Sequence, residues 1–301
     1  MDPHLSLVVR SSFDDTAVRR ACMRGELVRL VSGRYVRAEH WQEFDEAQQH
    51  GMRAVAAVSL LDHEVVVSHA SAAALWGLPR LGHRPERVQV TDPTVARSTS
   101  KQTTYRHAGS VPHEDVREVG GVLVTSPVRT AVDLSLRVPL RQAVVALDHG
   151  LRVGLFSKDD LSDHLDRRTE RRGRVMAGKA IAFADGRADR PGESLSRVVM
   201  HESRLTPPEL QYEFRLPGGR RAFVDSFWPQ WGIVGEFDGF VKYRDAGLRR
   251  GLSAEDVVVA EKLREDLVRR HPEVKAFVRW VWRDAMRPGN LGRLLADAGV
   301  R

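Results

Sequence analysis

Three changes of rhythm run along the apolar and polar positions of the chain. At the start, Asp14 and Asp15 precede a short run ending at Cys22 and Met23, and Gly25 closes it. Acidic cap, run and terminal glycine predict a short helix. Leu27-Val28-Arg29-Leu30-Val31 and Arg34-Tyr35-Val36 then flank Ser32-Gly33, a pattern that predicts a β-hairpin. Helix then hairpin is the end of a winged helix-turn-helix, so residues 1–40 are expected to form a short winged-helix DNA-binding unit.

The second rhythm, residues 41–165, predicts an α+β domain. A helix is expected over Gln42–Leu61, a strand at Val65–Val67, and a small-residue helix over His69–Trp76 that stops at Gly77 and Pro79. Strands are expected at Val88–Thr91, Thr103–His107 and Val116–Thr125. Ser126 and Pro127 read as N-cap and first residue of a helix, and further helices span Leu140–Arg152 and Lys158–Arg168. His69, His83, His107 and His113 are scattered without ligand spacing and read as ordinary polar or capping residues. Arg167, Arg168, Arg171, Arg172 and Arg174 fall within eight positions, marking residues 166–184 as a basic linker and helix.

From 185 to 301 the order changes to helix, three strands, helix, strand. Pro191-Gly192-Glu193-Ser194 opens a helix running through His201. Strands Glu209–Leu216, Arg221–Trp228 and Gly232–Phe237 are joined by Pro217-Gly218-Gly219 and Pro229-Gln230, as in a meander. A charged helix over Ala254–Arg270, a strand over Val274–Trp282 and a helix near Leu291–Ala298 complete the pattern. Trp280 and Trp282 alternate in that strand and are expected in the core or on a sheet face.

Composition narrows the function classes. A length of 301 residues admits two or three domains, and 42% apolar with 29% charged residues describes a folded chain. No apolar run approaches the ~18 residues of a membrane span, and the Met-Asp-Pro-His start is not that of a signal peptide. Cys22 is the single cysteine, which excludes an internal disulfide framework or a cysteine-rich metal site. A cytoplasmic protein is expected. The net charge of +7 favours a polyanionic partner, with double-stranded DNA the first expectation. Arg19, Arg20, Arg24, Arg29, Arg34 and Arg37 in the winged unit are the candidate DNA contacts, joined by Arg167, Arg168, Arg171 and Arg172 in the basic segment. The sequence allows an oligomer.

The third region carries the candidate chemistry. Glu193 lies in the first turn of a helix, Asp225 in the second strand, and Glu236 and Asp238 in or just after the third, amid Phe223, Val224, Ile233, Val234 and Phe237. A carboxylate inside such a strand is exposed at an end or paired, because an isolated buried charge is costly. Carboxylates on neighbouring strands repel unless a cation lies between them, and Mg2+ binds through one or two carboxylates plus substrate phosphates. Lys242, Lys262 and Arg264 are placed to support charge on a phosphate.

These residues resemble the PD-(D/E)XK nuclease superfamily. Glu193, Asp225 and Glu236-Phe237-Asp238-Gly239 with Lys242, then Glu261-Lys262-Leu263-Arg264-Glu265-Asp266 and Phe277-Val278-Arg279-Trp280, are similar to its very-short-patch-repair-like and DUF559 branch over about residues 185–285. The resemblance implies a three-layer α/β/α restriction-endonuclease-like domain. It implies Mg2+ or Mn2+ held by Glu193, Asp225 and Glu236, and a catalytic set completed by Asp238, Lys242 and Lys262. The superfamily's lysine falls two residues after the third-strand acid, where this chain has Asp238, so Lys242 or Lys262 has to substitute.

The upstream half resembles AbiEi-type antitoxins of type IV toxin–antitoxin systems. The resemblance rests on Arg24-Gly25-Glu26-Leu27-Val28-Arg29, on Ser68-His69-Ala70-Ser71-Ala72-Ala73-Ala74-Leu75-Trp76-Gly77-Leu78-Pro79 and on Val124-Thr125-Ser126-Pro127-Val128-Arg129-Thr130-Ala131-Val132-Asp133-Leu134. It implies operator binding and a cognate toxin as partner. The sequence therefore sets out a multidomain α/β protein with two functional expectations. The first is a divalent-metal-dependent DNA endonuclease in defence or mobile-element biology; the alternative is a non-catalytic, antitoxin-like repressor.

Overall fold

The computed structural model describes residues 9–10, 15–239 and 254–301. The chain folds as two compact units, Met1–Phe183 and Ala184–Arg301.

In the first unit, β1 (Val9–Arg10), α1 (Asp15–Met23), β2 (Leu27–Val31) and β3 (Arg34–Arg37) form a helix and a three-stranded antiparallel sheet of order β1-β3-β2. Gly33 turns the hairpin at φ +67°, a conformation that costs glycine no steric clash. The hairpin has no core of its own. Val28, Leu30 and Val36 pack with Phe44, Met52 and Val55 of the following segment.

The helix expected over Gln42–Leu61 is two helices, α2 (Ala38–Glu43) and α3 (Glu46–Val58). The break is made by Asp45, whose carboxylate accepts from the Gln48 N–H while the Gln48 side chain accepts from the Asp45 N–H. This capping box satisfies two donors at the new helix start. Asp45→Ala is expected to destabilise the first unit by about 1 kcal/mol in urea titrations, the usual cost of losing an N-cap.

A six-stranded mixed sheet follows. It is built from β4 (Val66–Val67), β5 (Val88–Asp92), β6 (Thr99–Ser100), β7 (Thr104–Ala108), β8 (Val116–Val119) and β9 (Val122–Thr125), in the order β6-β7-β5-β4-β9-β8. The run Val116–Thr125, expected as a strand, is a hairpin. Gly120 and Gly121, both at positive φ, fold it back on itself. Alternate residues Val88, Val90, Val122 and Val124 face α3 and the alanine-rich α4 (His69–Leu75). Helices α5 (Pro127–Ser135), α6 (Leu140–Arg152), α7 (Lys158–Arg167) and α8 (Arg174–Phe183) complete the unit. Ser126 caps α5 through the Arg129 N–H, with Pro127 at its first turn.

The second unit comprises α9 (Pro191–Glu202), β10 (Glu209–Leu216), β11 (Arg220–Trp228), β12 (Ile233–Phe237), α10 (Ala254–Arg269), β13 (Ala276–Trp280), α11 (Trp282–Met286) and α12 (Asn290–Asp297). The sheet order is β10-β11-β12-β13, antiparallel through β12 and parallel between β12 and β13. Alternation along β12 sorts the two faces. Val234 packs with Phe214, Val224, Phe227 and Val268 on the α10 side. Gly235 and Phe237 face α9, where a Cβ on Gly192 would come within 2.2 Å of the Phe237 ring. Trp280, 1% exposed, donates to Ser196 Oγ of α9 at 2.7 Å. The sheet is thus covered by α10 on one face and α9 on the other.

Candidate functional site

The carboxylates of the second unit separate into two environments. Glu193, in the first turn of α9, is buried. One of its oxygens accepts from the Asp189 N–H at 3.0 Å and from Gln211 Nε2 at 3.1 Å. Burial, and then the nearby Asp225 carboxylate, push its pKa up to about 8. The two acids therefore hold a proton more readily than separate carboxyl groups do.

Asp225 stands where the β10–β11 ladder is disturbed. Leu210 pairs with Ser226 and Tyr212 with Val224, and Gln211 between them sits at φ +51°. A left-handed non-glycine residue inside a strand is strained. Here it turns the Gln211 amide to Glu193, while Asp225 accepts from the Phe237 N–H of β12 at 2.8 Å.

Glu236 looks the other way, toward α10. It is 3% exposed, and each of its oxygens takes a guanidinium. Arg264 Nη2 lies 2.7 Å from Oε1 and Arg279 Nη2 3.0 Å from Oε2. The β12–β13 register sets Arg279 directly beside Glu236. Arg279 also donates to Glu265 at 2.8 Å and lies 3.9 Å from Asp238. Among the described residues, no three His, Cys, Asp or Glu side chains converge in an arrangement that could hold a metal ion. The expected ligands Glu193 and Asp225 are neighbours, whereas Glu236 is engaged by arginines.

Lys262 is exposed on α10. It lies two residues, roughly 200° of helix, from Arg264, so it is Arg264 that reaches Glu236. Lys242 lies outside the described residues. Gln211 and Arg279 are members of this cluster that sequence reasoning missed. The signal for Arg279 was present: opposite charges side by side on paired strands are a recurrent sheet contact.

The ten arginines expected to meet DNA also divide. The side chains of Arg19, Arg20, Arg167, Arg171 and Arg172 make no hydrogen bond or ion pair among the described residues, and Arg19 and Arg20 are both exposed on α1. Arg24 pairs with Glu26 at 2.6 Å and Arg37 with Glu39 at 3.4 Å. Arg29 bonds the Val31 carbonyl, while Arg34 is anchored to Ser59 Oγ and the Gly33 carbonyl. Arg168 is built into the fold. Its guanidinium bonds Asp133 at 2.9 Å and grips Glu170, and Asp133 also takes Arg129, which reaches Asp115 at 3.0 Å. This nearly buried chain of charges fastens the basic segment to α5, and α8 follows it within the first unit.

The histidines are less scattered than their spacing suggests. His69 and His107 stack with ring centroids 3.8 Å apart, and neither Nε2 has a hydrogen-bond partner among the described residues. Burial pushes the His69 pKa down to about 2 and that of His107 to about 4.

Residues 65–181, within the first unit, match the AbiEi antitoxin C-terminal domain. The uncharacterized protein MT2308 of Mycobacterium tuberculosis (strain CDC 1551 / Oshkosh) is 29% identical over 214 residues, 70% of this chain and 76% of its own. The uncharacterized protein Rv2248 of strain ATCC 25618 / H37Rv matches to the same extent. Among solved structures, the RV2827C protein of Mycobacterium tuberculosis is similar at 18% identity and a TM-score of 0.29, over 62% of this chain and 69% of that one. No helix among the described residues is long and apolar enough to cross a membrane.

Proposed function

We propose that the protein is a DNA-binding regulator of the antitoxin type, a repressor acting in a type IV toxin–antitoxin system with a cognate toxin encoded nearby. The observation that carries this reading is the AbiEi-type domain over residues 65–181. The unpaired Arg19 and Arg20 on α1, beside a hairpin that can act as a wing, supply donors for phosphates or base edges. Replacing both with Ala is expected to weaken binding to the DNA upstream of the gene at least tenfold, measured by fluorescence anisotropy with the fold checked by circular dichroism. Unchanged affinity counts against α1 as the reading element.

A second reading, a divalent-metal-dependent endonuclease, has its own support. The order helix, three-strand meander, helix, parallel strand is that of the resemblance noted in the sequence, and Glu193 beside Asp225 is a carboxylate pair that a cation would relieve. Those two residues would hold Mg2+ or Mn2+, which supplies polarisation of a phosphodiester and activation of water. Glu236 fits this role only after leaving its arginines. Metal-dependent plasmid nicking that Glu236→Ala abolishes is the result this reading requires; absence of nicking by folded wild-type protein with either metal eliminates it.

A further inference from the structure

Arg264 and Arg279 hold one carboxylate between them, and they hold it from the solvent side. Their side chains are 25% and 34% exposed, whereas that of Glu236 is 4% exposed. Among the described residues the guanidinium groups are already engaged, and Arg264 also donates to the Phe223 carbonyl at 2.9 Å. Arg264, Arg269 and Arg279 face Glu236, Glu265 and Asp238, with Glu265 shared between Arg269 and Arg279. Arg269 and Arg279 also both lie over the Phe277 ring, 4.3 and 5.8 Å from its centroid. An anion arriving from outside finds both guanidinium groups engaged, with Glu265 and Asp238 close by, and gains little. An anion that takes the place of Glu236 exchanges like for like, because a phosphodiester presents two oxygens to two guanidinium groups as a carboxylate does.

We propose that Arg264 and Arg279 form a phosphate site that Glu236 fills in the free protein, so that a DNA phosphodiester is taken up there by expelling Glu236 toward solvent. The proposal rests on the DNA-binding reading and is independent of cleavage. Glu236 acts in it as a built-in competitor, which lowers the apparent affinity by the fraction of molecules in which the clamp is open.

The test is binding of a fluorescein-labelled 20-base-pair duplex to the full chain in EDTA at low salt, for wild type, Glu236→Gln, Glu236→Asp, Arg264→Gln and Arg279→Gln. Removing the competitor with Glu236→Gln is expected to tighten binding about tenfold, as for a clamp open in roughly a tenth of molecules. Glu236→Asp, which shortens the reach of the carboxylate and keeps its charge, is expected to tighten it by less. Either arginine variant is expected to weaken it. Asp297→Asn, which removes an exposed acid on α12, controls for net charge. An equal gain from that control, or wild-type-like or weaker binding by folded Glu236→Gln and Glu236→Asp, overturns the clamp while leaving DNA binding in place. No binding by any variant, wild type included, removes the DNA-binding reading and the clamp with it.

Discussion

Glu193→Gln is expected to stabilise the second unit by about 3 kcal/mol at pH 7. The folded-state pKa of about 8 lies above the ordinary 4.5, so the native state holds a proton that the unfolded chain releases. For a carboxyl group with a raised pKa, stability is fully present below the unfolded value and is lost as pH rises toward the folded one. At pH 7 the loss spans about two and a half units at 1.36 kcal/mol each. Glutamine is neutral at every pH and keeps an oxygen for the Asp189 N–H. The gain is therefore expected to shrink below about 1 kcal/mol at pH 5. Urea unfolding of both proteins at pH 5, 7 and 8 measures this. A gain that does not vary with pH contradicts a protonated Glu193.

The first unit is expected to respond to acid with the opposite sign. His50, 2% exposed, has a pKa pushed down to about 4 by burial, and His69, 6% exposed, one pushed down to about 2. Both stay neutral in the fold while the unfolded chain protonates below about pH 6.5. Stability is then lost as pH falls from 6.5 toward the folded values, by about 2 kcal/mol for each histidine at pH 5. Together they are expected to cost the first unit about 4 kcal/mol between pH 7 and pH 5. Replacing His50 and His69 with Gln is expected to flatten this dependence. His50 Nε2 lies 2.7 Å from Ser71 Oγ and His69 Nδ1 2.9 Å from Ser68 Oγ, so the variants carry a constant penalty that a pH comparison removes. A double variant with the wild-type slope contradicts the assignment. Acidification is thus expected to loosen the first unit and to tighten the second.

Much of the architecture is legible in the residues themselves. Ser126-Pro127 marks the start of α5, and the Pro217-Gly218-Gly219 turn separates β10 from β11 where expected. Local chemistry of this kind needs no tertiary information. The Asp45 break between α2 and α3 was also written in the chain, as an acid followed three residues later by Gln48, but good helix formers on both sides of it, Gln42, Glu43, Glu46 and Ala47, hid the signal. The Gly120-Gly121 turn inside Val116–Thr125 was masked in the same way by valines on both sides.

The candidate site was legible as a set of acids and not as a geometry. Sequence places Glu193, Asp225 and Glu236 on the right elements but cannot say which way each carboxylate faces. Strand alternation sends Glu236 to the α10 side, while the disturbed ladder at Gln211 leaves Asp225 beside Glu193. Gln211 carries no signal, because its role depends on a left-handed backbone inside a strand. The His69–His107 stack joins residues from α4 and β7, which only the sheet order brings together. Among the arginines, charge alone cannot separate the unpaired Arg19 from Arg168, which is consumed by Asp133 and Glu170.

Affinity for the DNA upstream of the gene, set against an unrelated duplex of equal length in EDTA, tests the central claim most directly. A repressor of the antitoxin type is expected to prefer its own site by at least a thousandfold at physiological salt, and to lose that preference when Arg19 and Arg20 are replaced. Equal, salt-sensitive binding to both duplexes, or none to either, contradicts the regulator reading.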